Sequence, residues 1–245
     1  MKKMINKNFR KAERGNVLFL ILIAVALFAA LSYAVTQSSR TGGGASDGES
    51  NLINSAQVTQ YPASVRTAIV RMIIRGIAEN QLEFNPPVDF DDLTETRFGV
   101  FHPQGGGATH VTAPPEVMAG AGQGTWIFSS AYQIQNIGTT DAASNSANDI
   151  IAFLPNISLP VCQRINRELG IPGPLGNRGV PVAVATAIPS AADSMDTDNP
   201  GIAVVAPAAN TIAGSFSGQP FGCADFDDDL TNGTGLVYYH VLVER

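Results

Sequence analysis

Arg14 to Val25 reads RGNVLFLILIAV, an arginine and a glycine followed at once by an unbroken apolar run. The run carries no charge from Val17 to Val35, and the uncharged interval ends only at Ser39. A helix rises about 1.5 Å per residue, so about 20 residues cross the roughly 30 Å of a bilayer's hydrocarbon. The segment just suffices, and no other part of the 245-residue chain comes close. One membrane-spanning helix is expected over residues 16–39.

Charge gives the span a direction. Lys2, Lys3, Lys7, Arg10, Lys11 and Arg14 precede it against Glu13 alone, and all four lysines of the chain lie there. Residues 1–15 carry +5 and the remainder −11, which together make the net −6. Basic flanks stay on the cytoplasmic side, so the N-terminus is expected in the cytoplasm, the span in a bacterial inner membrane and the C-terminal part in the periplasm. That exported part is acidic and lacks the positive field that nucleic-acid binding needs. A cleaved secretory signal is the plainer alternative, with an apolar core of about 7–15 residues before a small-x-small cut. Ala29 to Ala34, AALSYA, offers such a cut, but the longer run favours retention.

Beyond the span, Thr36 to Ser50 holds glycines at 42–44 and 48. Glycine costs about 1 kcal/mol per residue in a helix, so a break or flexible hinge is expected over 40–50. Asn51 to Glu83 reads as a second helical stretch, with Leu52, Ala56, Val65, Ala68, Ile69, Met72 and Ile73 as its apolar stripe. Pro62 should start a new segment or kink the helix. Arg66, Arg71 and Arg75 lie off the stripe, as a solvated face or beside local acidic partners. Asn85-Pro86-Pro87 ends the helix, and a long loop with short strands, polar and rich in glycine and proline, follows to Glu116. Thr125–Phe128 and Tyr132–Gln135 resemble the first strands of an antiparallel sheet. Asp149–Leu154, Val180–Ile188 and, less strongly, Gly201–Val205 read as further strands, and Pro160–Leu169 as a short helix before Gly170. Leu236 to Val243, LVYYHVLV, is apolar on both faces and should lie inside a sheet or under a helix. The fold class is α+β, with a head domain over 51–245. Cys162 and Cys223, the only cysteines, suggest one bridge in an oxidising compartment, with free buried thiols as the alternative.

A 15-residue basic leader ending in Gly15, with a hydrophobic helix starting immediately after it, resembles the class III signal of type IV prepilins and type II secretion pseudopilins. One long N-terminal helix on an antiparallel sheet, a late cysteine pair and a terminal strand are similar to pilin-like heads. The resemblance implies cytoplasmic cleavage by prepilin peptidase between Gly15 and Asn16, with Asn16 then N-methylated. It implies as partners the lipid bilayer, an inner-membrane assembly platform and other pilin-like subunits, leading to a cell-surface filament. Two positions depart from the pattern. The family usually begins its mature chain with phenylalanine or methionine, where Asn16 stands here. It usually has glutamate at the fifth mature residue, which here is Leu20. A carboxylate in lipid needs a partner, and its absence resembles a tip pseudopilin. The resemblance therefore points to a minor or tip subunit acting in assembly or priming. A single-pass, membrane-anchored binding or scaffolding protein is the alternative.

Little else in the chain suggests chemistry. Asp225, Asp227 and Asp229, followed by Thr231-Asn232-Gly233-Thr234, form the one dense carboxylate cluster. Oxygen ligands on a glycine-containing loop suit Ca²⁺, and some pseudopilin heads bind calcium late in the chain. The spacing is not that of an EF-hand, and an acidic solvated turn is the alternative. His102 and His110 lack zinc-hydrolase spacing, and His240 reads as a packing residue of the last strand. No GxSxG elbow, phosphate loop or CxxC pair is present. The expectation is a non-enzymatic protein.

Overall fold

The computed structural model describes residues 16–138, 148–171, 176, 178–183, 188–190, 194–195, 210–227 and 235–245, without the side chains of 16–17 and 37–47. The chain divides into two units, Met1–Glu49 and Ser50–Arg245. Helix α1 is a single element of 59 residues, Asn16–Ile74. The break expected over 40–50 is therefore not an interruption of the helix, which passes through Gly42, Gly43 and Gly44. Glycine weakens a helix without removing a hydrogen-bond donor. Pro62 also stays inside α1. It costs the helix one N–H bond, as proline must, yet no new segment starts there.

In the second unit, α1 buries Ser55, Val58, Pro62, Val65, Ala68, Ile69 and Met72 at three- and four-residue spacing. The expected stripe is right from Val65 onward and wrong before it, because Leu52 and Ala56 are exposed. Small and apolar residues occur on two faces of that first turn, and only the contact with the head selects one. The helix also ends earlier than Asn85. Gly76 takes φ +91°, its N–H donates to Ile73 O, and Ile77 N–H donates to Met72 O. This pair of bonds is a Schellman cap, which needs a left-handed residue after the last turn.

Residues 85–116, expected as a long loop with short strands, form short turns and 3-10 segments packed against α1. Arg71 and Arg75 donate to the carbonyls of Gly106 and Gly105, and Arg66 pairs with Glu244 at 3.0 Å. A Cβ on Gly105 would meet the Gly99 carbonyl, and one on Gly106 would meet the Val100 carbonyl and the Met72 sulfur. Gly105 and Gly106 are thus close-approach positions.

Five strands follow: β1 Ile127–Ile134, β2 Asp149–Pro155, β3 Thr211–Ile212, β4 Phe221–Asp225 and β5 Leu236–Val243. Their order is β3-β1-β2-β5-β4. All neighbours are antiparallel except the two-residue β3, which runs parallel to β1. The two strands expected between 125 and 135 are one strand, whose register with β2 shifts between Ser129 and Tyr132. Of the strand expected over 180–188, the described part shows only a bridge from Val182 to Asp225. Residues 201–205 lie outside the described residues.

Strand β5 is paired on both sides and buried throughout. Leu236, Tyr238 and Leu242 join Phe128, Ile150, Ala152 and Leu154 in a core with Val65, Ile69 and Met72 of α1. Val237, Tyr239 and Val241 join a second core on the other face, closed by Ile171, Ile212 and Phe216. Two covered faces explain why LVYYHVLV shows no polar alternation.

Helix α2, Leu159–Leu169, lies beside β4 on the α1 face of the sheet. It ends at Gly170 in the left-handed region. Cys162 of α2 is disulfide-bonded to Cys223 of β4. One turn later, Asn166 accepts from Cys223 N–H at 2.9 Å and donates to Cys223 O at 2.6 Å. The amide acts as a one-residue neighbour strand on the open edge of β4. Further along the same edge, Asp225 N–H donates to Pro181 O and Ala183 N–H to Asp225 O. An exposed strand edge invites pairing with other chains, and here it is closed at both residues. Asn166→Ala should leave buried groups of Cys223 unpaired and cost about 1–3 kcal/mol. Urea unfolding of the oxidised protein followed by circular dichroism checks this, and Cys162→Ala/Cys223→Ala should lose stability non-additively with it, because the disulfide holds α2 where Asn166 reaches Cys223.

Candidate functional site

The strongest feature of the first unit is the bare apolar surface of α1. Leu18–Thr36 is a 19-residue segment with the length and composition of a membrane span, and none of it is buried. Leu18 to Ile23 are six successive exposed apolar residues. At 3.6 residues per turn they occupy every side of the helix. Phe28, farther along, is 75% exposed. Each such side chain gains about 1.5–3 kcal/mol on leaving water, so an apolar surrounding on all sides is the stable environment. Within the span, Thr36 donates its hydroxyl to Ser32 O at 2.7 Å, which satisfies that group without water. Asn16 is the first residue of α1 and Leu20 lies in its second turn, exposed like its neighbours. Gly15 and the basic leader lie outside the described residues.

The acidic sequence near the C-terminus has a partner that spacing did not reveal. Asp225 ends β4, fully buried, and its Oδ1 lies 3.2 Å from Arg178 Nη1. Asp227 Oδ1 lies 3.0 Å from Arg178 Nη2. Asp227 N–H also donates to Asp225 Oδ1, and a Cβ on Gly235 would overlap the Asp227 carboxylate. Arg178 therefore supplies positive charge at two of the three residues expected to hold calcium, and Asp229 lies outside the described residues. No local pattern could have announced this, because Arg178 is 47 residues from Asp225.

Histidines do not converge. His102 accepts from Gln104 N–H and lies edge-on to Phe90. His110 lies edge-on to Phe101, and burial lowers its pKa. His240, buried as expected, stacks on Phe221 and its Nδ1 lies 3.0 Å from the Tyr238 hydroxyl. Among the described residues no three histidine, cysteine or acidic side chains gather as a metal site.

Two features were not anticipated. Asp149, at the start of β2, is buried and accepts from Ile134 N–H at 2.8 Å and Arg245 N–H at 3.2 Å. The second is a cavity of about 280 Å³ between Gln57, Val58 and Tyr61 of α1, residues 111–114 and Trp126. The aromatic residues were visible in the sequence, but nothing local placed Tyr61 beside Trp126.

Comparison with protein-family models, curated proteins and solved structures gives no match. The geometry defines the class: a single N-terminal segment suited to span a membrane, and an α+β head whose antiparallel sheet is packed on the later part of the same helix and carries one disulfide.

Burial, partly offset by the N–H groups of Ile134 and Arg245, raises Asp149 to about 6. Its native form holds a proton more tightly than the unfolded form, so its contribution is complete below about pH 4 and lost as pH rises to about 6. His240 is lowered to about 4 by burial and then by Arg66. Its contribution runs the other way, complete above about pH 6.5 and lost as pH falls to about 4. Asp149→Asn removes the first slope only. Its unfolding free energy relative to the parent should improve by about 2 kcal/mol between pH 4 and pH 6, read from urea titrations at both pH values.

Proposed function

We propose that this protein is a non-enzymatic, pilin-like subunit that enters a filament of the type IV pilus or type II secretion class as a minor or tip component, in assembly or priming. The carrying observation is the double use of α1. The helix is apolar and bare on all sides over 18–36, and a one-sided core element from Ser55 onward. A bare helix is stable in lipid, and equally against the apolar helices of neighbouring subunits. Leu20 supports the minor or tip position, because it brings no carboxylate to be compensated in the core. The disulfide and the closed β4 edge suit an exported head that must not pair edge to edge. In this reading the partners are the lipid bilayer, prepilin peptidase, an inner-membrane assembly platform and other pilin-like subunits. Calcium is not required by it, since Arg178 already sits between Asp225 and Asp227.

A single-pass, membrane-anchored periplasmic binding or scaffolding protein is the second reading, and the cavity at Tyr61 and Trp126 is what favours it. The two separate at the N-terminus of the mature chain. N-terminal sequencing with intact mass should find a chain that starts at Asn16 and carries a methyl group. An intact leader, or a start near Ala34, removes the filament reading and leaves the anchored one.

A further inference from the structure

The cavity in the head has a composition that restricts what it can hold. Its floor is Val58, Ala113 and Trp126, all buried, and its mouth is Gln57, Val111 and Thr112, all exposed. Tyr61 forms a wall, its ring centroid 5.0 Å from that of Trp126 and tilted by 48°. The two rings make an aromatic corner, and Trp126 is held from behind by the edge-on ring of Tyr238.

Among the described residues, no carboxylate, guanidinium, ammonium or imidazole lines the space. The Tyr61 hydroxyl lies against the Val111 backbone, and burial pushes it up to about 12, so it stays neutral. A charged ligand would give up its hydration here without a counter-charge. Besides the neutral Tyr61 hydroxyl in the wall, the side-chain polar capacity lies at the mouth, in the Gln57 amide and the Thr112 hydroxyl.

The walls are fixed before anything binds. Ala113 and Gly124 exchange two backbone hydrogen bonds of 2.8 and 2.9 Å, Thr112 donates to Gln123 at 3.1 Å, and Ser158 N–H donates to Val117 O at 2.8 Å. A preformed site avoids the ordering cost of closing around its ligand. At about 280 Å³ the volume lies just under the 300 Å³ or so where sites for drug-sized molecules begin, which suits a single ring.

We propose that this cavity is a binding site for one small uncharged ring, apolar on its body and bearing a hydroxyl or amide at one edge, with the body in the Tyr61–Trp126 corner and the polar edge at Gln57 and Thr112. The site lies wholly in the 50–245 unit and does not rest on the filament reading. Trp126 is the single tryptophan of the chain, so its indole N–H gives one unmistakable resonance in a ¹⁵N spectrum. The full chain in lipid nanodiscs is titrated with three probes of one shape: cyclohexanol, cyclohexanecarboxylate and cyclohexylammonium. Cyclohexanol should move the indole resonance along a saturating curve, and each charged probe should bind more than about tenfold more weakly. Val111→Asp changes an exposed mouth residue and should weaken cyclohexanol by about tenfold with the rest of the spectrum unchanged. No saturation with cyclohexanol, equal binding of a charged probe, or unchanged binding in the folded Val111→Asp protein would each overturn the proposal.

Discussion

An apolar helix surface must be covered, and in this chain one helix meets that demand in two ways. Over 18–36 the side chains of α1 are apolar in every direction, which no single protein face can satisfy. From Ser55 to Met72 the buried residues fall on one side, which a sheet can satisfy. The change from all-round to one-sided patterning divides the molecule into a segment that needs an apolar medium and a head that folds around its own core. Gly42–Gly44 and Gly48 lie at that change, inside a helix that continues.

The head depends on how its sheet ends. Strands β2 and β5 are covered on both faces and paired on both edges. Strand β4 is paired on one edge, and its other edge is closed by unlike devices: the Asn166 amide at Cys223, the backbone of Pro181 and Ala183 at Asp225, and Arg178 on the carboxylate of Asp225. Such closure matters because a free edge pairs without discrimination. The disulfide places α2 where Asn166 can do this, since residues four apart share a helix face.

Features that depend on one short stretch were legible in the sequence. The length of the apolar run, the strand LVYYHVLV and helix α2 with Gly170 after it are of this kind. What depends on distant residues was not. The buried face of α1 before Val65 is chosen by the sheet, so Leu52 and Ala56 were expected inside while Ser55 and Val58 are. The 85–116 segment reads as a loop because glycine and proline are ambiguous between freedom and close packing, and here Gly105 and Gly106 are close-packed under Arg71 and Arg75. The bulge in β1 separates two β-prone stretches that form one strand. Arg178 stands beside Asp225 and Asp227 only because the fold brings it there. Two nonlocal features leave a trace in the sequence: the pair Cys162 and Cys223, and Asn166, four residues after Cys162 and so on the same helix face.

The first part of α1 is bare and apolar, and the core of the head begins only at Val58 of the same helix, so the head should fold without the span. The direct measurement is to express residues 50–245 in an oxidising compartment and follow its urea unfolding and its partition between membrane and soluble fractions. The account predicts a soluble protein with the Cys162–Cys223 bond formed and one cooperative unfolding transition. A head that fails to unfold cooperatively, or that stays with the membrane without residues 1–49, would contradict it.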